Sequence, residues 1–379
     1  MTVFIHSQFD SGNIECTSLE DLENIRLRIR TDRDSDFYQW FHFRLSGAGG
    51  KPCRMVIENA ADAAYPAGWP DYRACASYDY ETWFRVETTY RDGALEIAHT
   101  PTEDLVWYAY FAPYTYQRHR ALITRSGRSP YAKHICLGST LDGRPIDGLA
   151  ILNAEGSGRP VLWAIGRQHP GETMAEWWME GFLERLLDGA DPVARQLRSQ
   201  ADIYAVPNMN PDGSVRGHLR TNAAGINLNR EWDKASLEKS PEVFHTLASM
   251  DRTGVDFAID VHGDEALPYN FIAGCEGIPG YTDHQEHLLT TYKAALKRFS
   301  PDFQTKYGYP RNKPGTANLA IAGNAIAARY GCVSMTLEMP FKDNADLPDA
   351  AYGWSPERCQ QLGAANVAAM LEIVGDLRQ

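Results

Sequence analysis

The sequence predicts an α/β domain preceded by a small all-β sandwich, and three observations lead there. The texture changes near residue 115. Before it lie short alternating or aromatic-rich runs, Tyr38 to Leu45 and Thr82 to Tyr90, separated by turn signals at Ser46–Gly50 and Arg91-Asp92-Gly93. After Tyr116 strands alternate with amphipathic helices, among them Glu286 to Phe299 and a final helix from about Pro356 to Leu377. A chain of 379 residues is long enough for two domains with separate cores. The expected division is 1–115 and 116–379, with close packing through Phe111–Tyr116 and no repeat, low-complexity stretch or long linker.

Each element of the second domain carries its own signal. Pro160 to Gly166 (PVLWAIG) reads as a buried strand, and Thr173 to Leu187 places Met174, Trp177, Trp178, Phe182, Leu186 and Leu187 on a helical stripe. His169 and Glu172 therefore fall in a strand-to-helix turn, at the edge where open α/β sheets bind ligands. Ile203 to Val206 is the next apolar strand, followed by a turn at Asn208–Gly213. Val255, Phe257, Ile259 and Val261 alternate as a strand requires, delivering His262 to the same edge. In Cys332–Glu338, Val333, Met335 and Leu337 face one side while Ser334, Thr336 and Glu338 face the other.

His169 and Glu172, joined 90 residues later by His262, offer three ligands for a catalytic zinc and leave its fourth position open. His-x-x-Glu alone is weak. With 11 His in the chain about one such pair arises by chance, and His262-Gly263-Asp264-Glu265 is a second copy. Context favours the first, although an isolated strand-end histidine is ordinarily a satisfied core residue. Hydrolysis at such a site also needs a carboxylate to move protons. Glu338, at the end of a buried strand, is the candidate, against the plainer reading of a salt-bridge partner or cap. Arg220, and Arg230 in the later run Asn227-Leu228-Asn229-Arg230, suit the capture of a substrate carboxylate, though arginine is common on solvated surfaces.

Composition narrows the setting. Hydrophobic content is 44%, and no segment approaches the roughly 20 apolar residues of a membrane span. The first 16 residues lack a basic region followed by an apolar core, and seven cysteines without paired spacing suggest reduced thiols, so the expected location is cytoplasmic. A net charge of -12 argues against a nucleic-acid partner but leaves room for an acidic substrate in a local basic pocket. Oligomeric state is open.

HPGE at 169–172, NPDG at 210–213, NLNREW at 227–232, DVHG at 260–263 and TLE at 336–338 together resemble the ordered motifs of zinc metallocarboxypeptidases. The leading all-β domain and PYTY at 113–116 resemble the cytosolic carboxypeptidase branch. The resemblance implies a mixed central sheet flanked by helices and one zinc per chain, held by His169, Glu172 and His262. It further implies Glu338 as general base, Arg220 polarising the scissile carbonyl, and Asn229 and Arg230 holding the substrate C-terminus.

Members that trim glutamate place an Arg after a Gly-Thr-Gly or Gly-Thr-Ala motif, whereas here Gly315-Thr316-Ala317 is followed by Asn318. That departure argues against a deglutamylase unless Lys306, Arg311 or Lys313 replaces the charge. The family's substrate-facing tyrosine has three candidates, Tyr269, Tyr307 and Tyr309. The expected function is removal of the C-terminal residue from peptides or protein tails. The alternatives are a zinc-dependent deacylase of N-acyl amino acids, and a binding protein with a degenerate peptidase domain.

Overall fold

The computed structural model describes residues 2–152 and 158–378. The N-terminal part is two facing five-stranded sheets. One is ordered Phe4–His6, His42–Ser46, Leu105–Ala109, Cys75–Ser77, Phe84–Arg85, with every pairing antiparallel. The other is ordered Glu15–Ser18, Ile25–Arg28, Cys53–Ile57, Ala94–His99, Glu87–Arg91, and its second and third strands run parallel, the one exception to the antiparallel expectation.

Two expected strands differ in detail. The run 82–90 is broken at Val86, because its two halves belong to opposite sheets. In 38–45 only the segment from His42 onward joins a ladder, while Tyr38–Phe41 is buried without one. Asp92 and Gly93, both at positive φ, close the two-residue hairpin that the Asp-Gly pair signalled.

The second part is a seven-stranded mixed sheet, ordered Lys133–Ser139, Pro145–Ile151, Asp202–Val206, Val161–Gly166, Phe257–Asp264, Val333–Pro340, Phe271–Gly274. The four strands from Asp202–Val206 to Val333–Pro340 are parallel and the rest antiparallel. Strands Val161–Gly166 and Phe257–Asp264 are buried on both faces, as helices covering a parallel sheet require. His262 and Glu338 were expected to terminate their strands. Each instead lies two residues inside one that runs on to Asp264 and Pro340.

Helix Met174–Leu186, which follows the HPGE turn, packs against Pro356–Ile373 with almost no gap. A Cβ on Gly181 would sit 2.0 Å from the Gln360 carbonyl oxygen, and one on Gly363 would sit 2.0 Å from that of Trp178. Asn208–Gly213 is the start of a helix rather than a free turn. The Asn210 side chain caps Pro211–Arg216 by accepting from Gly213 N, and Pro211 takes the first helical position, where its missing N–H is harmless.

One buried apolar cluster runs from Leu27 and Phe41 in the β-rich part to Phe182 and Trp354 in the other. Arg85 joins the two parts as well: its buried guanidinium donates to the carbonyls of Arg73, Phe341, Lys342, Tyr352 and Trp354. No helix among the described residues is long and apolar enough to cross a membrane.

Candidate active site

The HPGE turn follows directly from strand Val161–Gly166. The residue that leaves the strand, Arg167, is fully buried at φ 55°, an uncommon conformation for a side chain of this size. The guanidinium explains why it persists. It donates to Pro170 O at 3.0 Å and Tyr114 O at 2.5 Å, and pairs with Glu176 in the first turn of helix Met174–Leu186. Gly171 N donates to Leu219 O at 2.9 Å, fastening the other side of the turn.

This turn and strand Phe257–Asp264 bring His169, Glu172 and His262 together, with one donor atom of each lying within 4.8 Å of the others. Glu172 Oε1 lies 2.7 Å from His169 Nδ1, and Oε2 lies 2.7 Å from His262 Nδ1. The far side of each ring is occupied. Asp260 Oδ2 accepts from His262 Nε2 at 2.7 Å, and Asn227 Oδ1 accepts from His169 Nε2 at 3.1 Å. With these partners each imidazole can keep a proton on Nε2 and offer its Nδ1 lone pair to a cation at the shared point. Two imidazoles and a carboxylate so arranged fit a zinc ion.

The electrostatics agree. Burial, with Arg220 nearby, pushes His169 down to about 4 and keeps it neutral. Burial would raise Glu172, but His169 and His262 hold it below the usual carboxylate range. Burial opposes charge on His262 too, yet Asp260 and Glu172 raise it well above its ordinary value. Carboxylates that attract a proton there would equally stabilise a divalent cation.

Glu265, from the second His-x-x-Glu copy, stays outside this group. It is buried against the β-rich part, where a Cβ on Gly68 would come within 2.9 Å of its own Cβ, and burial with Glu172 nearby raises it to about 8. Glu338 shares the cavity with the three donors and is almost fully buried. Burial, with Glu172, Asp264 and Glu265 around it, raises its pKa well above the carboxylate range.

The cavity has a volume of about 740 Å³. Arg220, Asn229 and Arg230 all line it. Asn229 Oδ1 accepts from Ala322 N at 2.8 Å, which leaves Nδ2 facing His262 Nε2 at 3.4 Å. Arg230 is exposed at the mouth, bonded to its neighbour's carbonyl, and no carboxylate pairs with it among the described residues. Of the tyrosines, Tyr309 enters the cavity, its hydroxyl 2.5 Å from Asp264 Oδ2 and 3.4 Å from Glu338 Oε1, while Tyr269 and Tyr307 stack on each other.

Among the proposed replacement cations only Arg311 lines the cavity, and it is paired with Glu276 and Glu286. Neither Asn318, Lys306 nor Lys313 does.

Several contributors escaped sequence reasoning. Trp232 Nε1 donates to Gln168 Oε1 at 2.8 Å, and Gln168 Nε2 donates to Asp260 Oδ2 at 2.7 Å, completing a buried chain that ends on His262. Trp232 and Asp260 both lie inside motifs already noted, which was the available signal. Lys293, on helix Asp283–Phe299, lines the cavity from a helix that the sequence marked only as amphipathic. Tyr65, from the β-rich part, lines the cavity with no local signal at all.

Residues 5–111 match the family model of the cytosolic carboxypeptidase N-terminal domain, and residues 124–362 match that of zinc carboxypeptidase. Over 377 residues the chain is 52% identical to the Zymomonas mobilis protein ZMO1242, covering 100% of this chain and 98% of the other. A metallo-carboxypeptidase from Pseudomonas aeruginosa, solved in complex with (2-guanidinoethylmercapto)succinic acid, superposes with a TM-score of 0.97. It shares 44% identity, over 99% of this chain and 100% of that one. Mouse cytosolic carboxypeptidase 4 is 29% identical over 72% of this chain, which spans only 29% of that relative's length.

Proposed function

Because the chain belongs to the zinc carboxypeptidase family, we propose that it hydrolyses the C-terminal bond of peptides or protein tails, with His169, Glu172 and His262 holding one zinc ion. The observation that carries this reading is one cavity lined by the three donors, the buried Glu338, and Arg220, Asn229 and Arg230. When bound, zinc would supply Lewis acidity toward water and the scissile carbonyl.

The chain's own groups do the rest. Glu338 takes a proton from water on its carboxylate and returns it to the leaving nitrogen, and its burial favours holding that proton between the two events. Arg220 donates to the scissile carbonyl oxygen as negative charge develops there. Arg230 and Asn229 receive the terminal carboxylate at the mouth. We place the boundary between the β-rich part, 1–115, and the catalytic part, 116–379, just before helix Tyr116–Gly127.

Digestion of a peptide library, read by mass spectrometry, tests the assignment. Loss of single residues from free C-termini is expected. Cleavage confined to internal bonds, or hydrolysis of N-acyl amino acids alone, would overturn it.

A further inference from the structure

Arg220 lies in a stretch without helix or strand, between Gly217 and Ile226, and that stretch is held from outside its own domain. The buried Asp32, from the β-rich part, accepts Leu219 N on Oδ1 at 2.6 Å. Its Oδ2 accepts Arg220 N at 2.8 Å, Thr221 N at 2.9 Å and Thr221 Oγ1 at 3.0 Å. Flanking contacts extend the clasp: Arg33 N donates to His218 Nε2 at 3.1 Å, and Asn13 Nδ2 to Gly217 O at 3.0 Å.

The head of the side chain is held from the same source. The Arg220 guanidinium lies over the rings of Phe37, at 5.7 Å, and Tyr65, at 5.2 Å. Phe37 belongs to the same short turn as Asp32, whose N–H donates to Phe37 O at 2.8 Å. One loop thus grips both the backbone and the tip of a single arginine.

A carboxylate accepting several N–H bonds is a directional anchor, and an aromatic face holds a guanidinium without using up its donors. The nearest carboxylate to Arg220, Glu172 Oε1, stands 3.9 Å away, too far for a hydrogen bond. The donors therefore stay available while the group is fixed in place. We propose that Asp32 and Phe37 are positioning residues for Arg220, so that the β-rich part is a working component of the catalytic site. The inference rests on the reading that Arg220 acts on the scissile carbonyl.

The test uses the full zinc-loaded chain, with Arg220→Ala, Asp32→Asn, Phe37→Leu and each of the latter two combined with Arg220→Ala. Steady-state kinetics on a free-acid peptide are measured alongside zinc affinity by chelator competition and thermal melting. Asp32→Asn and Phe37→Leu are each expected to lower kcat about 10-fold or more, as misplacement of a reacting group does. KM and zinc affinity should stay within about 2-fold, and in the Arg220→Ala background neither change should cost more than about 2-fold further. Losses that multiply fully with that of Arg220→Ala would overturn the proposal, as would an unaltered kcat in both single variants beside an impaired Arg220→Ala. An unimpaired Arg220→Ala would instead remove the reading of Arg220 itself. Should Asp32→Asn fail to fold, Phe37→Leu, at a partly exposed ring, carries the same test.

Discussion

His262 and Glu338 are register partners on neighbouring parallel strands, so both side chains leave the sheet on the same face. Adjacent strands lie about 4.8 Å apart, and that spacing is set by backbone hydrogen bonds rather than by side-chain rotamers. The proposed metal ligand and the proposed proton carrier are thereby held side by side by the sheet itself.

Glu338→Gln keeps the shape of this pair and removes the proton carrier. Turnover should fall by at least roughly 10²-fold, with zinc content unchanged in the purified protein. Near-normal turnover would take Glu338 out of the mechanism.

Asp260 should matter for metal rather than for substrate. Removing an outer partner of a ligating histidine typically weakens metal binding by about 10–100-fold. Asp260→Ala should do so, by chelator competition, with little change in KM, whereas His262→Ala should lose most of the metal. Equal zinc affinity in Asp260→Ala and the parent chain would contradict this role.

Recognition of the substrate's free end gives a third expectation. Amidation of the peptide C-terminus should block hydrolysis, and Arg230→Ala should raise KM for the free acid by about 10-fold or more without lowering the melting temperature. Matched peptides ending in Glu, Leu or Lys, free and amidated, provide the measurement. Equal cleavage of both forms would exclude an exopeptidase.

The fourth concerns stability and pH. Glu242 is fully buried, and its Oε1 has no hydrogen-bond partner while Oε2 accepts from Asn222 at 3.2 Å. Burial raises its pKa from 4.5 to about 7. The folded state therefore binds this proton more tightly than the unfolded chain. That stabilisation is complete below about pH 4.5 and is lost as pH rises to about 7, a change of about 3 kcal/mol at most. Glu242→Gln should melt higher than the parent at pH 8 and close to it at pH 4.5. A difference that does not depend on pH would show that Glu242 is not the titrating group.

The sequence made the centre of this site legible because its pieces are local. His169, Glu172, His262 and Glu338 sit in or beside apolar runs whose period shows where each strand and helix lies. The same logic misplaced finer points. Asn-Pro serves a turn and a helix start equally well, and only tertiary packing chose the helix at Pro211–Arg216. A strand that changes sheets at Val86 keeps its apolar pattern across the break. What could not be read at all is contact across distance: Asp32 meets Leu219 across 187 residues, and no periodicity connects them. Lys293 was hidden for another reason, since a helix facing a cavity has the same stripe as one facing water.

Gly181 and Gly363 leave no room for a methyl group between their two helices. Together they act as a ruler, making the gap behind helix Met174–Leu186 the smallest that two backbones allow. Alanine at either point would push that helix forward, and Glu172 lies just ahead of its first turn. Variation at these two positions should therefore be purged as strictly as variation at a ligand, although neither glycine has any chemistry to lose.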